Sequence, residues 1–184
     1  MQSPVRIFIS YSHDSDEHRE RVRQLAARLR GDGVDAWMDQ YSPTPVEGWP
    51  RWMKAEFARA RFIVIVCSGG YAERFDRGPG QGSGVGWEAV LIRQELYDKG
   101  GNARFIPVFF DGEEGTVPAE LRPFPRHPLP VGYDALLRHL TGRLGVEVPA
   151  LGRTPTAGPL PAATLQSEGA RFTPGARRTP WNAP

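Results

Sequence analysis

Six consecutive apolar residues, Phe62-Ile63-Val64-Ile65-Val66-Cys67, are the feature that most restricts how this chain can fold. A run this short and rich in β-branched residues is a strand. Because it has no polar alternation, neither of its faces is meant for water. It belongs inside a sheet covered on both sides, and the flanking sequence supplies the cover. After Ser12-His13-Asp14-Ser15-Asp16, which offers turn and N-cap residues, Val22, Leu25, Ala26 and Leu29 recur at helical spacing, and Gly31-Asp32-Gly33 ends the helix. Pro50 suits the first turn of a second helix with Trp49, Met53, Phe57 and Ala60 along one face. Val85, Ala89, Ile92 and Leu96 mark a third helix behind a glycine-dense loop from Gly78 to Gly86. Tyr133, Leu136, Leu137, Leu140 and Leu144 mark a closing one.

Between these helices lie further strand candidates: Val5–Ser10, Val34–Met38, Arg104–Phe110 and a short last one at Leu129–Val131. Pro107 suggests a bulge or an edge position for the fourth strand. Strands alternating with helices imply right-handed crossovers and a parallel sheet. The expected class is α/β, a flavodoxin-like five-stranded parallel sheet of order 2-1-3-4-5 with helices on both faces. The expected domain runs from residue 1 to about 148. The last 36 residues hold seven prolines and no apolar period, so 149–184 reads as a disordered Pro/Gly/Ala-rich tail or linker.

Bulk properties narrow the function. A net charge of +2 is too small to argue for nucleic acid. No segment approaches the ~20 apolar residues of a membrane helix, and the N-terminus lacks a signal-peptide layout. With one cysteine no internal disulfide can form, and a cytoplasmic setting is expected. The four histidines lack metal spacing, so no metal site is expected. Cys67, closing the buried strand, reads as a core residue.

In such a fold, ligand residues stand at the carboxyl ends of the strands. These are Ser10, Tyr11, Ser12, His13 and Asp14 after the first strand, then Asp39 and Gln40 after the second. Ser68, Gly69, Gly70 and Tyr71 follow the third, with Trp87 and Glu88 further on. The first turn has no G-x-G-x-x-G, and the glycine loop has no Gly-Lys-Ser/Thr, so neither a dinucleotide fingerprint nor a P-loop is present. Glu88 is the foremost candidate for chemistry, standing at a helix start beside Trp87. A helix-dipole role is the plain alternative, because acidic residues favour first turns. Glu95, on the same helix but far from the strand ends, is a weaker candidate. Trp37, Trp49 and Trp52 suit packing or stacking on a planar ligand.

Five segments in order carry a resemblance: Phe8-Ile9-Ser10-Tyr11-Ser12, Trp37-Met38-Asp39, Gly48-Trp49-Pro50-Arg51-Trp52-Met53, Gly84-Val85-Gly86-Trp87-Glu88 and Phe105-Ile106-Pro107-Val108. The chain resembles the TIR superfamily over about residues 4 to 145, and within it the SEFIR branch. The resemblance implies a signalling domain that assembles with itself and with other TIR/SEFIR domains, as an immune or anti-phage type effector. It also implies a possible activity, cleavage of NAD at the nicotinamide–ribose bond, with Glu88 as the catalytic carboxylate. NAD is then substrate or ligand, and no resident cofactor is expected. Phe8, Ser10, Tyr11, Asp39, Trp49, Ser68 and Trp87 would surround the nucleotide. The loop bearing Tyr41, Pro43, Pro45 and Gly48 would be the assembly surface. The same resemblance allows a non-enzymatic scaffold, or a receptor that binds a nucleotide without cutting it. One departure stands out: in many NAD-cleaving TIR domains a tryptophan precedes the glutamate by about one turn, whereas Trp87 adjoins Glu88, about 100° away around a helix.

Overall fold

The computed structural model describes residues 3–42, 46–78, 84–143 and 149–152. Five parallel strands form one sheet: β1 (Arg6–Ser10), β2 (Asp35–Trp37), β3 (Phe62–Cys67), β4 (Phe105–Phe110) and β5 (His127–Leu129). Their order is β2-β1-β3-β4-β5, as expected. The helices are α1 (Asp16–Gly31), α2 (Trp49–Arg59), α3 (Gly69–Arg77), α4 (Gly84–Lys99) and α5 (Tyr133–Thr141).

The unbroken apolar run of β3 is accounted for by two separate cores. Val64 and Val66 point to one side, where Val22, Ala26 and Leu29 of α1 and Leu136 and Leu140 of α5 cover them together with Ile7, Ile9 and Val108. Ile63, Ile65 and Cys67 point to the other, packed with Phe57 of α2, Tyr71 and Phe75 of α3, and Ala89 and Ile92 of α4. Strand side chains alternate between faces, so a strand between two helical layers needs an apolar residue at every position.

Three expectations change. The segment after β3 is the additional helix α3, so the helix expected third in order is α4. Ser68 starts α3 by accepting a bond from the Tyr71 backbone N–H, and the buried pair Tyr71 and Phe75 marks its inner face. The last strand ends at Leu129 rather than beginning there, and Val131 is exposed. Pro130 cannot donate to a ladder, and the Tyr133 N–H bonds back to the Pro130 carbonyl as the chain turns into α5. Strand β4 is interior, pairing with β3 along Ile63–Cys67, yet β5 reaches only Val108–Phe110. Pro107 therefore lies just outside the stretch that β5 covers, where its missing donor costs no bond on that side.

Contacts divide the chain into residues 1–147 and 148–184. Apart from 149–152, the segment read as a tail lies outside the described residues, as does Leu144. Among the described residues no helix is long and apolar enough to cross a membrane.

Arg104 fastens the layer beneath the site. Its guanidinium donates to both Glu95 oxygens of α4, at 3.0 and 2.8 Å, and to the carbonyls of Phe57 and Ala60 where α2 ends. Arg104→Met takes this donor from the Phe57 and Ala60 carbonyls and leaves Glu95 with Lys99 alone, at roughly 1–3 kcal/mol for each buried group left unpaired. Urea unfolding is expected to show a loss of at least about 2 kcal/mol.

Candidate active site

The carboxyl ends of β1 and β3 meet the second turn of α4. Ser10 closes β1, Tyr71 lies in the first turn of α3, and Glu88 is the fifth residue of α4. All three are buried, Glu88 to 4 % exposure. The Ser10 hydroxyl donates to Glu88 Oε2 and lies 3.0 Å from the Tyr71 hydroxyl, which in turn is 3.5 Å from the same carboxylate oxygen. Burial raises the Glu88 carboxyl to about 7; the Ser10 bond opposes this, and the nearby charge of Asp39 adds to it. A carboxylic acid poised near neutrality can hold or release a proton at working pH.

Above Glu88 opens a cavity of about 560 Å³, within the range of roughly 300–1,000 Å³ usual for small-molecule sites. Its apolar wall includes Phe8, Met53 and Val85. Trp49 and Trp52 meet edge to face at 5.4 Å, and Trp52 meets Phe8 in the same way at 5.8 Å. Trp87 also lines the cavity and is 46 % exposed. The angular offset between neighbours on a helix sends Glu88 inward and leaves Trp87 at the surface.

The polar wall is held by two networks. In the first, Asp39 Oδ1 accepts from the Tyr11 hydroxyl and the Gln40 backbone N–H, each at 2.7 Å, and Oδ2 lies 2.7 Å from His13 Nε2. Burial works to raise the Asp39 carboxyl, but the His13 and Tyr11 bonds outweigh it and the net shift is downward. In the second, Asp14 accepts from Ser12, Ser68, the Gly70 N–H and Arg74, at 2.6 to 3.1 Å. Burial opposes ionisation here too, yet these donors hold Asp14 at about 2. A Cβ at Gly70 would stand 2.0 Å from Asp14 Oδ1, so a side chain there would push the Asp14 carboxylate out of its network.

Of the residues picked from sequence, Phe8, Tyr11, Asp39, Trp49, Trp87 and Glu88 line the one cavity. Ser10 lies behind Glu88 and anchors it, rather than lining the space. Ser68 is turned to Asp14 and to the start of α3. Tyr41 packs edge-on against Trp37 at the surface, and Gly48 precedes α2 with a φ of 82° that suits glycine. Pro43 and Pro45 lie outside the described residues. Sequence reasoning did not single out Arg74, which lines the cavity, or Tyr71 as a partner of Glu88. The signal was present in Ser68 followed by apolar Tyr71 and Phe75 four residues apart, the start of a short amphipathic helix. Cys67 is fully buried, and burial pushes its thiol up to about 12, so it supplies no thiolate near neutrality.

A doubly wound parallel sheet of this order, with a ligand-sized cavity at its carboxyl edge floored by a buried carboxyl, is an α/β domain of the flavodoxin-like class. The chain belongs to the TIR domain family, whose model matches residues 7–139. It is similar to a prokaryotic SEFIR domain of known crystal structure, at 25 % identity and a TM-score of 0.57, over 80 % of this chain and 99 % of that one. It is also 27 % identical over 158 residues to human interleukin-17 receptor D, a match that takes in 75 % of this chain and 21 % of the receptor. The chain thus spans about a fifth of that relative's length. It is a signalling domain of the TIR/SEFIR type.

The buried carboxyl has a thermodynamic signature. Its value in the fold is about 7 against a reference of 4.5, so between those pH values the folded state keeps a proton that the unfolded chain has released. Stability is full below the lower value and falls as pH rises through 7, by about 3 kcal/mol in all. Glu88→Gln removes this dependence. Denaturant unfolding of both proteins at pH 4.5 and pH 8 is expected to show the variant gaining on the parent by about 3 kcal/mol at the higher pH.

Proposed function

We propose that this domain cleaves NAD at the nicotinamide–ribose bond, with Glu88 as the catalytic carboxylate. One observation carries the reading: a nearly neutral-poised carboxyl, anchored by Ser10 and Tyr71, floors an aromatic-rimmed cavity of nucleotide scale. The chemistry suits this arrangement. Nicotinamide leaves as a neutral base from a cationic donor, so no strong acid is required. The ribose develops oxocarbenium character, which a fixed anion stabilises. Ser10 and Tyr71 act as positioning residues, keeping one carboxylate oxygen in place. Phe8 and the tryptophans offer flat apolar surface to the base.

Purified protein is expected to release nicotinamide from NAD, faster when concentrated or artificially clustered, and Glu88→Gln is expected to abolish release while remaining folded. No release from folded, clustered protein would sink the reading. The ionised carboxylate is the working form, so kcat/KM should rise about tenfold per pH unit below 7 and level off above it. A flat profile across pH 5.5 to 8 would remove Glu88 from the chemistry.

A second observation favours homotypic assembly, either as the trigger of turnover or as the whole function. Tyr41, Val46 and Trp49 are exposed along the connection from β2 to α2. Three exposed apolar side chains within nine residues of sequence suit an interaction surface, and Val46 is not among the residues lining the cavity. Val46→Arg is expected to prevent self-association in sedimentation while leaving the monomer folded. Artificial clustering should restore its nicotinamide release if assembly is only the trigger.

A further inference from the structure

Hydrolysis of a ribosyl–pyridinium bond ends with a proton to place. Bond breaking needs only an anion near the ribose, the part proposed for Glu88. Capture is different: the water that attacks C1′ must lose a proton, and Glu88 is most useful to the cation while it stays charged. A separate acceptor would relieve it of that task.

The cavity holds a group built for this. His13 lines it, with its side chain about half exposed. Its Nε2 lies 2.7 Å from Asp39 Oδ2. The other oxygen of Asp39 is already engaged by the Tyr11 hydroxyl and the Gln40 N–H, and Gln40 Nε2 donates in turn to the Tyr11 hydroxyl at 2.7 Å. Asp39 is therefore locked from two directions and presents one oxygen to the imidazole. With the Nε2–H given to Asp39, the lone pair stands on Nδ1. An imidazole fixed by a carboxylate is the general arrangement of an oriented base. His13 is also close to the proposed chemistry: it follows Ser10, which holds Glu88, by three residues, a span of at most about 11 Å of extended chain. Asp39, which orients it, acts on the Glu88 carboxyl through its charge.

We propose that His13, oriented by Asp39, accepts the proton of the water that captures the ribosyl cation, so that Glu88 serves cleavage and His13 serves capture. The inference rests on the NAD-cleavage reading. The C1′–N bond breaks with its electron pair on nicotinamide. Water forms the new C1′–O bond, and its proton passes to His13 Nδ1 and then to solvent. The products are ADP-ribose, nicotinamide and one proton, with no change of oxidation state.

The test uses a nucleophile that needs no base. Nicotinamide attacks through a ring lone pair and brings no proton, so label passing from free nicotinamide into NAD reports recapture, while ADP-ribose reports hydrolysis. In clustered protein comprising residues 1–184, His13→Ala and His13→Gln are both expected to lower the ratio of hydrolysis to exchange at least tenfold, and added imidazole to raise it again in His13→Ala; general bases contribute roughly 10² to 10⁴. Gln keeps a donor for Asp39 but takes up no proton. A ratio that falls in the alanine variant and holds in the glutamine variant assigns His13 a merely structural tie and overturns the proposal. An unchanged ratio in both also overturns it, and leaves NAD cleavage standing. Neither hydrolysis nor exchange in the parent protein removes the NAD-cleavage reading and this inference together.

Discussion

A parallel sheet sealed on both faces leaves its strands one place for polar groups, their ends. Strand β3 shows the constraint at full strength: five of its six residues are buried and Phe62 is partly so, divided between a core under α1 and α5 and another under α2, α3 and α4. Burial at roughly 25 cal/mol per Å² of apolar surface makes that sandwich the main source of stability. The polar side chains of Ser10, Ser12 and Ser68 are then displaced to the carboxyl edge, where three connections crowd together. Asp14 ties two of these connections, with Gly70 leaving room for it. The cavity is what remains open between them and the α2–α4 layer.

Glu88 runs against the same constraint. Its carboxyl sits on the apolar side of α4, near Val85, Ala89 and Ile92, and is tolerated because Ser10 and Tyr71 reach it. A buried polar group satisfied by neighbours is affordable, while an unpaired buried charge is expensive. The result is an acid whose ionisation the fold resists. Strain of this kind commonly marks functional positions, and the surrounding aromatic groups and the His13–Asp39 pair face the same space.

Much of the architecture was legible in the chain. The apolar run of β3, the 3-4 spacing of Val22, Leu25, Ala26 and Leu29, and the punctuating glycines carry local periodicity, and periodicity reflects burial directly. The β5 boundary was harder to read because Leu129 and Val131 look equally strand-like, and only the turn from Pro130 into α5 separates them. Helix α3 was missed for a similar reason: its nine residues hold two buried apolar side chains, too weak a pattern beside the glycine-rich stretch that follows.

At the site the division is sharper. Sequence alone determined the class of fold, the edge of the sheet where ligand groups must gather, and the candidacy of Glu88 through its place beside Trp87 and the motifs around it. It could not say that Ser10 would turn behind Glu88 instead of facing the cavity, that Ser68 would serve Asp14, or that His13 and Asp39, 26 positions apart, would meet. Those outcomes depend on how far each loop is carried toward its neighbours once the helices have packed. A side chain's partner at the end of a strand is chosen by the sheet order and the helix positions together, and neither is a property of the few residues around it.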